Sequence, residues 1–270
     1  MIGDIEVTPL CDGPLPSSIG MIPDPAHRAE AEELLAKAPA DALTMNVYGF
    51  LLKLGDSFAL IDSGAGRLMS PDLGKLPEAM RAAGVAPEQI EHIFMTHVAR
   101  DHFGGLADDR GQAAFANAEL VLHENEAGFW LDSKLEDMPQ RARRHLDSAR
   151  QALSLYAGRL RRVKDGETIQ GVTAHLAHGH TPGHTCWLVQ SGGQSLLAWG
   201  DLIHIAHIHL PAPHIAMEYD LDPVVALQSR LRVLDRVARD RIPVAGAHLP
   251  SPGIGAIVRN GAGYAFEPDR

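Results

Sequence analysis

Apolar positions follow two rhythms along this chain. Ile5-Glu6-Val7 alternates, and Met45 to Leu54 runs almost continuously apolar, as half-buried and fully buried strands do. Gly55-Asp56 supplies a turn, so Ser57 to Ile61 returns as the partner of the long run. Further strands are predicted at Glu91 to Thr96, Ala118 to His123, Val172 to Leu176, Cys186 to Gln190, Ser195 to Trp199 and Ile242 to Ala245. The helical rhythm covers Ala26 to Lys37. It also covers Gly74 to Ala83, with Leu76, Met80 and Ala83 in step, and Pro87 can start a short helix. Glu124 to Gly158 is helical in pattern and rich in charge. Asp222 to Asp240 is a long amphipathic helix with Leu227, Leu231, Leu234 and Val237 on one stripe. Strands in runs, separated at intervals by helices, predict an α/β layered domain with mixed sheets. With no linker, short repeat or low-complexity tract, residues 1–270 are expected to form one domain, with a helical cover inserted at about 124–160.

Composition narrows the partners. The chain has 270 residues, is 45% hydrophobic and carries a formal charge of −10, so it can bury a full core and offers no cationic footprint for nucleic acid or an anionic membrane. Arg141-Ala142-Arg143-Arg144 is the one basic run, and it reads as a solvated helix face. Two cysteines, Cys11 and Cys186, make no disulfide framework and suit buried or partly buried thiols in a reducing compartment. The amino-terminal residues lack the basic and apolar regions of an export signal, and no apolar run approaches the ~20 residues of a membrane helix. A cytoplasmic location is the expectation.

The chemistry concentrates at strand ends. Thr96-His97-Val98-Ala99-Arg100-Asp101-His102-Phe103-Gly104-Gly105 follows the apolar Ile93-Phe94-Met95 and sets two imidazoles and a carboxylate within six positions. Those are the side chains that bind zinc and neighbouring divalent ions. His184, in the tight turn His180-Thr181-Pro182-Gly183-His184, Asp201 after Leu196-Leu197-Ala198-Trp199-Gly200, and His248 after Val244-Ala245-Gly246-Ala247 repeat the arrangement. One such histidine would more often be structural. Several together point to a shared metal centre.

These residues resemble the metallo-β-lactamase superfamily, whose pattern is His-x-His-x-Asp-His followed by a distant His, a bridging Asp and a last His. Ile61-Asp62-Ser63-Gly64, the Thr-Pro-Gly-His turn, Trp199-Gly200-Asp201 and Gly246-Ala247-His248 extend the likeness over nearly the whole chain. The stretch from Asp201 to Asp220, Asp222-Pro223 and Gly263-Tyr264 is most similar to the branch of methyl parathion hydrolase and related lactonases and esterases. The resemblance implies an αββα sandwich, two mixed sheets flanked by helices. It implies a first metal held by His97 and His184, a second held by Asp101, His102 and His248, and Asp201 bridging. Zinc is implied, as one or two ions, with manganese, iron or cobalt equally able to use such donors. The implied activity is hydrolysis of an ester, lactone or phosphotriester by a metal-bound hydroxide, which Asp101 or Asp201 orients or deprotonates.

Ala99 departs from the pattern where the first site's next histidine should stand, with Val98 and Arg100 also unusual. The expectation is a weakened first site, a full second site and reduced activity. His204, His207, His209 and His214 follow Asp201 closely and are candidates to compensate. Asp62 reads as a supporting or turn residue, Arg100 as an outward loop residue, and Glu124 and Glu126 as a helix start. Phe129, Trp130 and Leu131 would give the cover apolar contacts, suiting a small, uncharged, hydrophobic substrate, and the 125–160 segment could form a homodimer contact. The competing readings are a degraded member that binds a small molecule without turnover, and a mononuclear iron, thiol-linked oxidoreductase.

Overall fold

The long apolar run becomes strand β2 (Thr44–Leu54), paired on one side with β1 (Glu6–Pro16) and on the other with β3 (Ser57–Ile61), both antiparallel. The computed structural model describes residues 1–269. From β3 the first sheet continues in parallel through β4 (Ile90–Phe94), β5 (Glu119–His123) and β6 (Leu160–Val163), in the order β1-β2-β3-β4-β5-β6. The second sheet holds β7 (Thr168–Ile169), β8 (Val172–Leu176), β9 (Thr185–Ser191), β10 (Gln194–Ala198), β11 (Val244–Ala245), β12 (Ile254–Asn260) and β13 (Gly263–Pro268), in the order β13 to β7. Its pairs are antiparallel except β10 with β11. Two mixed sheets flanked by helices make the αββα sandwich that the sequence predicts.

Alternation explains the layers. Phe50, Leu52, Ala59, Ile61, Phe94 and Val121 of the first sheet face Val172, Trp187, Val189 and Leu196 of the second across the central core. The Trp187 indole donates to the Met95 carbonyl across that seam (3.1 Å), so the large ring is buried without an orphaned donor. The opposite face of the first sheet is covered by the helices Leu76–Ala82 and Leu146–Ser154. The helix Pro223–Asp240 covers the second, and Pro25–Leu35 packs with residues 205–217 beside the site.

Three expectations change. The 124–158 segment is a series of short helical pieces, Glu124–Ala127, a wide turn at Gly128–Asp132, Gln140–Arg143 and Leu146–Ser154, because Trp130 turns inward to the core and Pro139 restarts the chain. The Pro223–Asp240 helix buries Ala226, Arg230, Leu234 and Val237, while Leu231 is 40% exposed. Arg230 displaces the leucine stripe because its guanidinium donates to the Leu202, Pro213 and Ile215 carbonyls and pairs with Asp220. Cys11 is exposed, and only Cys186 is buried; both are free. No helix among the described residues is long and apolar enough to cross a membrane.

Candidate metal centre

Loops at the ends of β4, β10 and β11, together with the turn before β9, meet on one side of the sandwich. Asp201 is their focus. Its Oδ1 lies 2.8 Å from His102 Nε2 and 3.1 Å from His248 Nε2. Asp101 Oδ2 closes that group, at 3.6 and 3.4 Å from the same two nitrogens. Asp201 Oδ2 faces a second group, at 3.5 Å from His97 Nε2 and 3.4 Å from His180 Nε2, with the two nitrogens 3.2 Å apart. Donors on a tetrahedral zinc at ~2.05 Å stand ~3.3 Å from one another, so both groups have the spacing of a coordination shell. Asp101, His102, Asp201 and His248 form one cluster and His97, His180 and Asp201 the other.

His184 is the predicted residue that stands outside. Its Nδ1 donates to the Ala177 carbonyl (3.0 Å) and its Nε2 accepts from the Asp201 amide (3.0 Å), so both nitrogens are spent on the loops. Burial, then the neighbouring His180, pushes its pKa down to about 3, which keeps the ring neutral as that acceptor role needs. Gly200 allows the contact: it has φ +54°, and a Cβ there would lie 2.8 Å from His184 Nε2. His180, four positions earlier, presents its ring instead. The Thr-Pro-Gly turn carries two histidines, and spacing alone did not distinguish them.

Each clustered histidine is aimed by its other nitrogen, as ligating imidazoles usually are. His102 Nδ1 meets Asp62 Oδ2 at 2.8 Å, and His180 Nδ1 meets Asp220 Oδ1 at 3.1 Å. His248 Nδ1 donates to the Asn46 carbonyl (2.7 Å), and His97 Nδ1 lies 3.1 Å from Thr96 Oγ1. Asp62 also accepts from the Thr96 amide and hydroxyl. What remains toward the centre is unpaired: His102 Nε2, His248 Nε2, Asp201 Oδ1 and both nitrogens of His204 are buried without a hydrogen-bond partner. Buried polar atoms in such a concentration fit a site built for a cation.

Of the four candidates to compensate for Ala99, His204 alone reaches the site, with Nε2 3.2 Å from Asp201 Oδ2. His209 Nδ1 accepts from the His204 and Ile205 amides, and His214 contacts Glu30 on the surface. Glu126, expected only as a helix start, is fully buried. It accepts from the Val98 amide, the Trp130 indole, the Thr181 hydroxyl and the Gly183 amide, joining the His97 loop to the His180 turn. Burial holds its carboxyl above the ordinary range while those four donors pull against it.

The electrostatics have a definite sign. Burial opposes charging His102 and His248, but the Asp201 carboxylate, with Asp101 beside it, outweighs that, raising His102 well above its usual value and His248 to about 10. His97 goes the other way, held low by burial and by His102. Ligation needs neutral imidazole. Metal uptake by chelated protein at pH 7 is therefore expected to release about two protons from His102 and His248. Calorimetric titration in buffers of different ionisation enthalpy measures it, and affinity will rise with pH. The pairing also stabilises the chelated fold: for His248 the contribution is complete below ~6.5 and lost as pH climbs through about 10.

A cavity of about 310 Å³ opens over the cluster. Asp101, His180, Asp201, His204 and His248 line its floor, with Leu15, Met45, Met69, Val98 and Trp130 as apolar wall. A sandwich of two mixed sheets with a His/Asp centre at its loop edge defines a metallo-hydrolase scaffold, and residues 44–248 match the metallo-β-lactamase superfamily. The chain belongs to that superfamily. It is similar over 100% of its length, and 96% of the other chain, to AbOPH, a hydrolase of the beta-lactamase superfamily (31% identity, TM-score 0.93). It is also similar to AidC, a dizinc quorum-quenching lactonase seen with N-hexanoyl-L-homoserine, again over 100% and 96% (27% identity, TM-score 0.92). A probable metal-dependent hydrolase from Staphylococcus aureus shares the fold at 20% identity, with coverage of 99% and 98% and a TM-score of 0.75.

Proposed function

We propose that this protein is a divalent-metal hydrolase of carboxylic esters or lactones. The observation that carries the reading is Asp201, whose two oxygens face two separate donor groups at coordination spacing. Asp101, His102, His248 and Asp201 would hold one ion; His97, His180 and Asp201 would hold the other. Three protein donors suffice for a catalytic zinc that keeps an open position. His204 stands nearest to supply what Ala99 cannot. The likeness to a dizinc lactonase supports zinc as the ion.

Bound divalent ions would lower the pKa of water toward neutrality and polarise the acyl oxygen. The chain supplies the rest. Val98, Met45 and Trp130 exclude bulk water from the cavity wall. Asp201 is 5% exposed and shared by both donor groups, whereas Asp101 is 12% exposed and meets only one, so Asp101 would be the carboxylate that takes the proton from the attacking water. In the metal-free protein burial opposes its charge, and protonated His102 and His248 hold it below the ordinary range. Aspartate 62 and Asp220 keep His102 and His180 in register as charge develops.

The test combines elemental analysis with turnover of 4-nitrophenyl esters and an acyl-homoserine lactone. The expected result is one to two zinc ions per chain and hydrolysis abolished by chelation and restored by zinc. An Ala99→His variant should raise occupancy of the weaker site. Full metal loading with no turnover of any ester or lactone would favour a binding protein without chemistry, the reading that Ala99 alone suggests.

A further inference from the structure

Two guanidinium groups that the proposed hydrolysis of a neutral ester does not use line the same cavity. Arg100 follows Ala99 at the cavity edge, and Arg141 lies on the short helix Gln140–Arg143, with its guanidinium carbon 5.1 Å from the centre of the Tyr219 ring. Both had been expected to face solvent. Neither side chain donates a hydrogen bond or sits within 4.0 Å of a carboxylate among the described residues, whereas Arg150, Arg161, Arg162 and Arg230 are all paired. Arg141 is half buried, and burial pulls its pKa below the usual arginine value although Glu218, exposed nearby, acts in the opposite direction. His145, on the same wall, is kept neutral by burial and then by Arg100, Arg141 and Arg144.

A half-buried cation without an anionic partner costs free energy that an arriving anion recovers. The cavity's own carboxylates cannot serve, because Asp101 and Asp201 are turned to the histidines. A planar guanidinium fork matches an oxyanion with two oxygens. From this juxtaposition we infer that the substrate is an ester or lactone bearing a carboxylate away from its scissile bond, with Arg100 and Arg141 binding that carboxylate while the acyl group lies over Asp201. The inference rests on the hydrolase reading for its reaction but not for its anion site. It replaces the uncharged substrate that the apolar wall alone had suggested.

The decisive comparison is mono(4-nitrophenyl) glutarate against 4-nitrophenyl pentanoate, two esters of equal acyl length that differ by a terminal carboxylate. With zinc-loaded native protein, kcat/KM for the glutarate ester should exceed that for the pentanoate ester by about tenfold, the worth of one charge-assisted contact. The ratio should fall about tenfold in Arg100→Met and in Arg141→Met, recover in part in Arg141→Lys, and shrink with added salt. A native ratio of one or less overturns the inference, as does a ratio unmoved in both methionine variants. Calorimetry with glutaramate and pentanamide separates the two layers. If neither ester is hydrolysed yet glutaramate binds and pentanamide does not, with binding lost in Arg141→Met, the anion site stands and the hydrolase reading falls. Equal binding of both amides removes the anion site whatever the turnover.

Discussion

Asp201→Asn will strip the protein of most of its metal and lower ester hydrolysis by about 10³-fold, since metal catalysis is worth several kcal/mol in the transition state. The two carboxylate oxygens of Asp201 are divided between the two donor groups. Oδ1 faces His102 and His248, while Oδ2 faces His97, His180 and His204. An asparagine amide keeps the shape but offers one weak oxygen donor and a nitrogen that cannot ligate. Elemental analysis should show less than half an ion per chain, read beside a circular-dichroism spectrum that stays native. Variants of His184 should behave differently: they loosen the loop through the Ala177 carbonyl and the Asp201 amide, so metal content falls only in part. Native metal content in Asp201→Asn would refute the bridging role. A loss in His184→Ala as large as in His180→Ala would return His184 to the cluster.

Glu126→Ala will destabilise the fold by about 3–5 kcal/mol, the cost of orphaning several buried donors at once. The carboxylate collects four donors at 2.6–3.0 Å from three separate segments. Alanine leaves the Val98 and Gly183 amides, the Thr181 hydroxyl and the Trp130 indole buried and unpaired. The damage also reaches the site, because Val98 adjoins His97 and Thr181 adjoins His180. Gly183 shows how tight the join is: it packs against the Glu126 backbone so closely that a Cβ there would overlap it. Glu126→Gln keeps an acceptor for the amides and should cost less than half as much. Urea unfolding of the zinc-loaded protein measures both. A loss below 1 kcal/mol in the alanine variant would mean that the network is redundant.

Much of this was legible in the sequence, and the gaps have physical causes. The strands at 45–61 and 118–123 were readable because long apolar runs and a Gly-Asp turn leave few alternatives. His97, Asp201 and His248 were readable as candidates because each stands a few positions past a strand end, and Asp101 and His102 because they share the short segment that follows His97. His180 was not, because the turn holding it offers two histidines and only the hydrogen bonds of the folded loops decide which ring is free. Glu126 was not, because three of its four partners lie 28, 55 and 57 positions away in sequence. Arg230 and the helix face it governs escaped for the same reason: a buried guanidinium capping three carbonyls has no local signature. The terminal hairpin β12–β13 was missed because Gly, Arg and Asn interrupt its apolar alternation.

The donors on Asp201 also impose an order of events on biosynthesis. His97 and His180, 83 positions apart, become neighbours only when the two sheets pack together, and His248 joins them only after β11 has paired with β10. Contacts of such sequence separation form late, since loop closure precedes any reward from them. The nascent chain thus holds no assembled centre while its first sheet emerges, and an ion captured early would meet only the local His97–Asp101–His102 fragment. Loading becomes a readout of completed folding. In metal-poor growth the cell would accumulate a finished but more easily unfolded protein, and its survival against proteases would track metal supply.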